Sequence, residues 1–396
     1  MNKKLSVKNM SIAPSVTLAI TAKAKSMKAS GEDVISFGAG EPDFRTPENI
    51  RNAAISVIES GSLGYTAASG LPELKDAICE KLKNDNNLTY SPNNIVVSCG
   101  AKHSLSNALQ AICNPGDEVI VPLPYWVSYP ELVKMADAVP VFVEAVEENG
   151  FKYSMEDLKS AINERTKAII LNSPSNPTGA VYTKDELQEI ADIAAEKNIY
   201  VISDEIYEKL IYEGEHISIA SLGEKIKDLT IVVNGVSKCY AMTGWRIGYT
   251  AANAQITGVM ANIQSHATSN PNTIAQYASL EALRGEQDTL GDMIKAFDER
   301  RNFMADRINC IDGISCTKPA GAFYVMMNIR NLMGREIGGV KIENSMDFAN
   351  YLLDSAKVAV VPGIGFGTEG YVRLSYATSL ENIREGLERI ENAINA

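Results

Sequence analysis

Across residues 95–252, short apolar runs alternate with amphipathic stretches, and this alternation restricts the fold more than any other feature of the chain. Short apolar runs bounded by turn residues read as buried strands, and the stretches between them carry helical periodicity. The candidate strands are Ile95–Cys99, Glu118–Val121, Val139–Val143, Ala168–Asn172, Tyr200–Asp204, Thr230–Asn234 and Arg246–Ala251. Leu105, Ala108, Leu109 and Ile112 share one helix face, as do Leu187, Ile190, Ala191 and Ala194. Strands alternating with such helices imply an α/β fold with a mostly parallel sheet covered on both faces.

After Pro271 the pattern is helical through Ile311, then mixed, and it ends in Leu380–Ile394 with Ile383, Leu387 and Ile390 at helical spacing. At 396 residues the chain exceeds one small core. The expected division is an N-terminal arm and part of a small domain at 1–45, a large domain at 46–285, and the rest of a small α+β domain at 286–396. No repeat or long linker separates these parts, so they should pack around a shared cleft, where cofactors usually sit.

A net charge of −12 argues against a nucleic-acid surface, which needs clustered Lys and Arg. Met1 to Met10 carry three lysines but precede no apolar run of signal-peptide length, and no stretch reaches the roughly 18 apolar residues of a membrane helix. The expectation is a cytoplasmic protein without membrane or nucleic-acid partners. Six cysteines form no C-x-x-C pair and mostly sit in apolar runs, as buried free thiols do. His103, His216 and His266 accompany no metal-binding pattern, so no metal is expected.

The segment Ser237-Lys238-Cys239-Tyr240-Ala241-Met242-Thr243-Gly244-Trp245-Arg246-Ile247-Gly248 follows a candidate strand and sets a lysine eight residues before an arginine. A surface loop with an unremarkable lysine has the same look. A lysine amine becomes a good nucleophile near neutral pH only when cations or desolvation lower its pKa, and Arg246 in an apolar setting could do so. Upstream, Asn172-Ser173-Pro174-Ser175-Asn176-Pro177-Thr178-Gly179 and Ser203-Asp204-Glu205-Ile206-Tyr207 lie at the carboxyl ends of candidate strands, where open α/β sheets bind ligands. Gly100-Ala101-Lys102 opens a helix after a strand, an arrangement that can face a phosphate but is common.

Together these motifs resemble those of class I aminotransferases, of the fold type I pyridoxal-phosphate (PLP) superfamily, and the resemblance runs from Pro14 through the C-terminal helix. It implies a seven-stranded, mostly parallel sheet flanked by helices, with a smaller domain built from both termini. It implies that Lys238 holds PLP and shuttles a proton, and that Asp204 pairs with the pyridine nitrogen. Asn176 and Tyr207 would bond the ring oxygen, Trp126 would stack on the ring, and Gly100, Ala101, Lys102, Ser237 and Arg246 would cup the phosphate. Arg373, in Val372-Arg373-Leu374-Ser375-Tyr376-Ala377, resembles the arginine that grips the substrate α-carboxylate, and Gly40, in Ala39-Gly40-Glu41-Pro42, a backbone position beside the substrate.

Tyr65 resembles the tyrosine that reaches the phosphate of the opposite subunit, which implies a homodimer with shared active sites. Ser265-His266-Ala267-Thr268-Ser269-Asn270-Pro271 lacks the arginine with which one aspartate aminotransferase subgroup binds the distal carboxylate. The chain is instead similar to a bacterial subgroup, rich in aspartate aminotransferases, in which Pro14-Ser15-Val16-Thr17 closes over that group, making Ser15 and Thr17 candidate contacts. Some of its members also accept prephenate and have lysine where this chain has Ala13, which lowers the expectation of that activity.

The implied reaction is ping-pong transfer from L-aspartate to 2-oxoglutarate. Rival readings are an aminotransferase for aromatic or other neutral amino acids and a PLP lyase on the same fold. A nicotinamide dehydrogenase is disfavoured because Gly363-Ile364-Gly365-Phe366-Gly367 does not complete G-x-G-x-x-G.

Overall fold

The computed structural model describes residues 5–14, 16–61 and 63–396. Among them, seven strands form the main sheet: β1 Ile95–Ser98, β2 Glu118–Leu123, β3 Val139–Glu144, β4 Thr166–Asn172, β5 Tyr200–Asp204, β6 Thr230–Gly235 and β7 Gly248–Ala251. Their order is β1-β7-β6-β5-β4-β2-β3. Only β7 runs against its neighbours, pairing Ser98 with Gly248 on one side and Gly235 with Gly248 on the other. Six of the strands are mostly buried because both sheet faces are covered there, whereas the edge strand β3 leaves Val139 and Phe142 exposed. Val97 packs with Ile78, Leu82 and Met242, whereas its neighbour Val96 packs with Leu105, Leu109 and Val233.

Local sequence explains where the covering helices start and stop. Thr183 caps the helix Lys184–Lys197 in a reciprocal box with Glu186, and Asn198 ends it in a left-handed conformation. Between the caps, Leu187, Ile190, Ala191 and Ala194 are buried. Ser379 accepts from the Asn382 N–H to start the helix Leu380–Ile394, whose Ile383, Leu387 and Ile390 are fully buried.

A second, antiparallel sheet contains β8 Ser315–Cys316, β9 Tyr324–Asn328, β10 Val361–Pro362 and β11 Tyr371–Ser375, in the order β10-β11-β9-β8. The N-terminal segment joins this part of the molecule, since Ile35–Ser36 pairs in parallel with Val358–Ala359. One core links Phe37, Phe297, Phe323, Phe348, Leu387 and Ile390 and also takes in Ile206, Tyr207 and Leu210, which follow β5. The two sheets are thereby joined through the segment just beyond Asp204.

Several expectations need correction. The last candidate strand begins at Gly248, not Arg246, because Arg246 adopts a left-handed conformation (φ 58°) that ends extended pairing. The first ends at Ser98, since Gly100 turns into the helix Ala101–Ile112. The helical region after Pro271 is two helices, Thr273–Arg284 and Asp288–Ile308. Only Cys239 and Cys316 are buried; Cys79, Cys99 and Cys113 are half-buried and Cys310 is exposed. Apolar neighbours in sequence do not decide which face a residue takes.

Phe297 is fully buried between Phe44, 5.3 Å away ring to ring, and Phe323 at 5.5 Å. Phe297→Ala should lower unfolding stability by about 3–5 kcal/mol in denaturant titration. A loss below about 1 kcal/mol would mean that the helix Asp288–Ile308 is not packed as described.

Candidate active site

Because only β7 is reversed, its N-terminal end lies at the same sheet edge as the carboxyl ends of the other strands. The β6–β7 connection therefore delivers Ser237 and Lys238 near its start and Arg246 near its end to that edge. The edge also receives Ala101 after β1, Trp126 after β2, Asn172 and Asn176 from the end of β4, and Asp204 from β5. All of these line one cavity of about 700 Å³. The second sheet adds Tyr324 and Arg373, and the chain between Ser36 and Glu41 supplies Gly38, Ala39 and Gly40.

Lys238 opens onto this cavity and donates from Nζ to the Gly40 carbonyl at 2.6 Å. Its amine also lies over the rings of Tyr207 (5.8 Å) and Phe323 (5.9 Å). The Lys238 pKa is brought down to about 8, chiefly by burial, with Arg373 and Arg246 acting in the same direction and Glu41 and Asp204 opposing them. Such an amine is a nucleophile and a proton carrier near neutral pH, which an ordinary lysine is not.

Asp204 is buried and accepts from the Tyr129 hydroxyl at 2.8 Å and from the Ile206 N–H at 3.3 Å. Burial pushes its carboxyl up to about 6; the two hydrogen bonds and Lys238 resist the rise, and the charge of Glu205 adds to it. Tyr207 shares a 2.9 Å hydrogen bond with Tyr324.

Arg373 is held in the middle of the second sheet, paired with Met326 on one side and Val361 on the other. Its guanidinium donates to Asn176 Oδ1 at 2.8 Å and to the Gly38 carbonyl at 3.2 Å, and it stacks on Tyr324 and Phe366. It is buried with no carboxylate partner among the described residues, and its Nε has no acceptor. An unpaired buried guanidinium is costly unless a ligand completes it.

Arg246 donates to the carbonyls of Thr243 (2.8 Å) and Cys99 (3.3 Å), and no carboxylate pairs with it among the described residues. It lies against Gly100, where a Cβ would fall 2.3 Å from Nη2. The Lys102 ammonium lies 4.8 Å over the Trp126 ring, and burial, then Arg246, lowers its pKa.

Of the site residues expected from sequence, Lys238, Asp204, Tyr207, Asn176, Trp126, Ala101, Lys102, Ser237, Arg246, Arg373, Gly40 and Thr17 all border the cavity. Gly100 does not line it but lies against Arg246, which does. Gly40 faces Lys238 with its carbonyl rather than its N–H. Tyr65 is 94 % exposed and does not border the cavity of its own chain. Ser15 lies outside the described residues.

Sequence reasoning missed Tyr129 and Tyr324. Tyr129 stands three residues after Trp126, and its ring packs edge-on to that indole at 5.3 Å. The one-turn spacing was a usable signal, but Tyr324 meets Tyr207 only through tertiary packing. Also unforeseen is a buried group of Glu205, Glu208 and His216, whose potential ligand atoms lie within 4.8 Å of one another. Its carboxylate oxygens are taken by Ser203, Ser218, His216, Lys81 and Asn86. Burial disfavours a charged His216, yet Glu205 and Glu208 outweigh it and raise the pKa. This network fixes Glu205, the immediate neighbour of Asp204.

Comparison with known proteins gives concordant results. The family profile "Aminotransferase class I and II" matches residues 32–390. The aspartate aminotransferase of Bacillus sp. (strain YM-2) is 53 % identical over 395 residues, covering 100 % of both chains. Among solved structures, the aspartate aminotransferase from Rhizobium meliloti superposes with a TM-score of 0.96 at 42 % identity, covering 100 % of this chain and 99 % of its own. That of Thermus thermophilus with maleate gives 0.94 at 42 % identity, covering 99 % and 100 %.

The position of Lys238 predicts its reactivity. Carbamylation of the cofactor-free protein by cyanate, followed by mass spectrometry of the Lys238 peptide, should rise with pH around a midpoint near 8. A midpoint above about 10, the range of an ordinary lysine, would contradict the desolvated amine.

Proposed function

Since the chain belongs to the class I and II aminotransferases, we propose that it is an aspartate aminotransferase, transferring the amino group of L-aspartate to 2-oxoglutarate to give oxaloacetate and L-glutamate. It is a PLP-dependent enzyme acting on amino and 2-oxo acids. One observation carries the reading: a lysine amine with its pKa near 8 and a buried arginine with an unpartnered Nε open onto the same cavity. The first suits carbonyl chemistry, and the second suits the carboxylate of an amino acid.

The residues present fit the cofactor. A phosphate would find Ser237, the carboxylate-free Arg246 and the first N–H groups of the helix Ala101–Ile112, in space that the missing side chain of Gly100 leaves to Arg246. Asp204 would hold the ring nitrogen and Trp126 one ring face. Asn176, whose Oδ1 is engaged by Arg373, would turn its Nδ2 toward the ring oxygen beside Tyr207. When bound, PLP supplies a carbonyl for the amine and an electron-withdrawing ring that spreads negative charge from the substrate Cα.

The protein's part is positioning and proton transfer. Arg373, oriented by Asn176 and the Gly38 carbonyl, clamps the α-carboxylate and sets Cα near Lys238. The Lys238 amine, tuned toward neutrality, takes a proton from Cα and returns it in the reverse half-reaction. Asp204, supported by Tyr129 and the Ile206 N–H, keeps negative charge where the ring nitrogen needs it. Thr17, which borders the cavity, is the described candidate contact for the substrate's distal carboxylate; a dicarboxylate substrate is in keeping with the Thermus thermophilus relative solved with maleate.

The reading extends to a homodimer, in which Tyr65 serves the partner's site; exposed Ile55, Ile58 and Leu63 near it in sequence support a covered surface there. It keeps the division at 1–45, 46–285 and 286–396 and a cytoplasmic setting. Among the described residues, no helix is long and apolar enough to cross a membrane.

Adding single amino acids to the PLP-loaded protein without an oxo acid isolates one half-reaction, read as the absorbance change of the cofactor. Aspartate and glutamate should convert it far faster than alanine or phenylalanine. A faster neutral donor would replace the aspartate assignment with the neutral-donor alternative, consistent with the arginine-free Ser265–Pro271 segment. Arg373→Lys should lower kcat/KM for aspartate by roughly 10–100-fold, the loss of one charge-assisted hydrogen bond, with cofactor absorbance retained. An unchanged kcat/KM would remove Arg373 from the carboxylate clamp.

A further inference from the structure

The wall of the cavity away from the main sheet is the helix Val16–Ala29, which sets Thr17, Thr21, Ala24, Lys25 and Lys28 along it at helical spacing. Ile20 and Ala24 anchor this helix against Val34, Leu353 and Ala359. Its three lysines past Thr21 that face different ways are treated differently. Lys23 pairs with Asp354 at 3.0 Å, whereas Lys25 and Lys28, which border the cavity, make no ion pair among the described residues. Both are exposed, which places their charges at the mouth.

We infer that Lys25 and Lys28 are specificity-determining residues, drawing dicarboxylate substrates into the cavity and favouring them over neutral amino acids. The inference rests on the proposed reaction, whose donor and acceptor each carry a second carboxylate. Overall the chain carries a charge of −12, so an anionic substrate approaching most of its surface is repelled. The cavity reverses that field: its lining contains Lys25, Lys28, Lys102, Lys238, Arg246 and Arg373 against only Glu41 and Asp204. Arg246 faces the phosphate cup, Arg373 the α-carboxylate, and Lys238 the reacting carbon. Lys102, stacked on Trp126, and the two helix lysines remain for the other charge of the substrate, and of these Lys25 and Lys28 stand at the mouth, where a substrate enters. A low-dielectric cleft with one predominant sign concentrates the opposite ion, and the effect falls with salt. Thr21 does not compete for this role, since its hydroxyl donates to the Thr17 carbonyl at 2.8 Å.

The test compares the PLP-loaded wild type with the double variant Lys25→Gln/Lys28→Gln and the charge-preserving Lys25→Arg/Lys28→Arg. Each is assayed for kcat/KM with aspartate and with alanine at low and at high salt. The Gln variant should lower the aspartate-to-alanine ratio about three- to tenfold at low salt, mainly through KM, with the difference shrinking in high salt. The Arg variant should keep the wild-type ratio. An unchanged ratio in the Gln variant, including equal losses on both donors, overturns the inference while leaving the aspartate assignment intact. A wild type that does not prefer aspartate overturns the assignment first and the inference with it.

Discussion

The active-site geometry depends on one backbone approach, that of Gly248 to the start of the helix Ala101–Ile112. A Cβ on Gly248 would lie 2.2 Å from the Ala101 nitrogen, so strand and helix can meet only where the side chain is absent. Gly248 is also the first residue of β7, where its pairing with both β1 and β6 begins. This contact brings the helix N-terminus, Arg246 and the Lys238 loop to one point of the sheet edge. A shift there would separate the Arg246 end of the cavity from the Lys238 amine.

From this arrangement follows an electrostatic division of labour. The main sheet contributes a buried carboxylate, Asp204, raised to about 6, and the loop after β6 an amine lowered to about 8. Desolvation is the leading cause for both and moves them in opposite directions, because it disfavours whichever form is charged. Behind Asp204, the ion pairs and hydrogen bonds among Lys81, Glu205, Glu208 and His216 keep two further carboxylates compensated. Lys81 and His216 outweigh burial at Glu208 and hold its pKa at about 2. Removing one member would leave a buried charge unpaired, which costs more than the pair itself contributes.

The second sheet supplies a different constraint. Arg373 is fixed by strand neighbours, aromatic stacking and two hydrogen bonds, so its remaining N–H donors are held in place before any ligand arrives. Tyr324 links it to the main sheet through Tyr207, and Tyr207 belongs to the core of the second sheet. In the proposed function, carboxylate binding, contact with the cofactor's ring oxygen and the packing between the two sheets would share the same few side chains. That sharing is a physical reason for building one site from two parts of a chain.

Much of this was legible in the sequence. Strand alternation located all seven strands of the main sheet to within a few residues, because short apolar runs bounded by turn residues and separated by helical periodicity mark the strands of such a sheet. Asn176, Asp204, Tyr207, Lys238 and Arg246 stood out through their joint resemblance to the motifs of a known family at strand ends, and all five border the cavity. Tertiary structure alone decided the rest. The left-handed turn at Arg246, the Tyr207–Tyr324 contact, the network around His216 and the turn of Lys25 and Lys28 toward the cavity join residues with no local signature. A sequence reports periodicity and residue chemistry along the chain, but which buried charge meets which partner is settled only when distant segments are packed together.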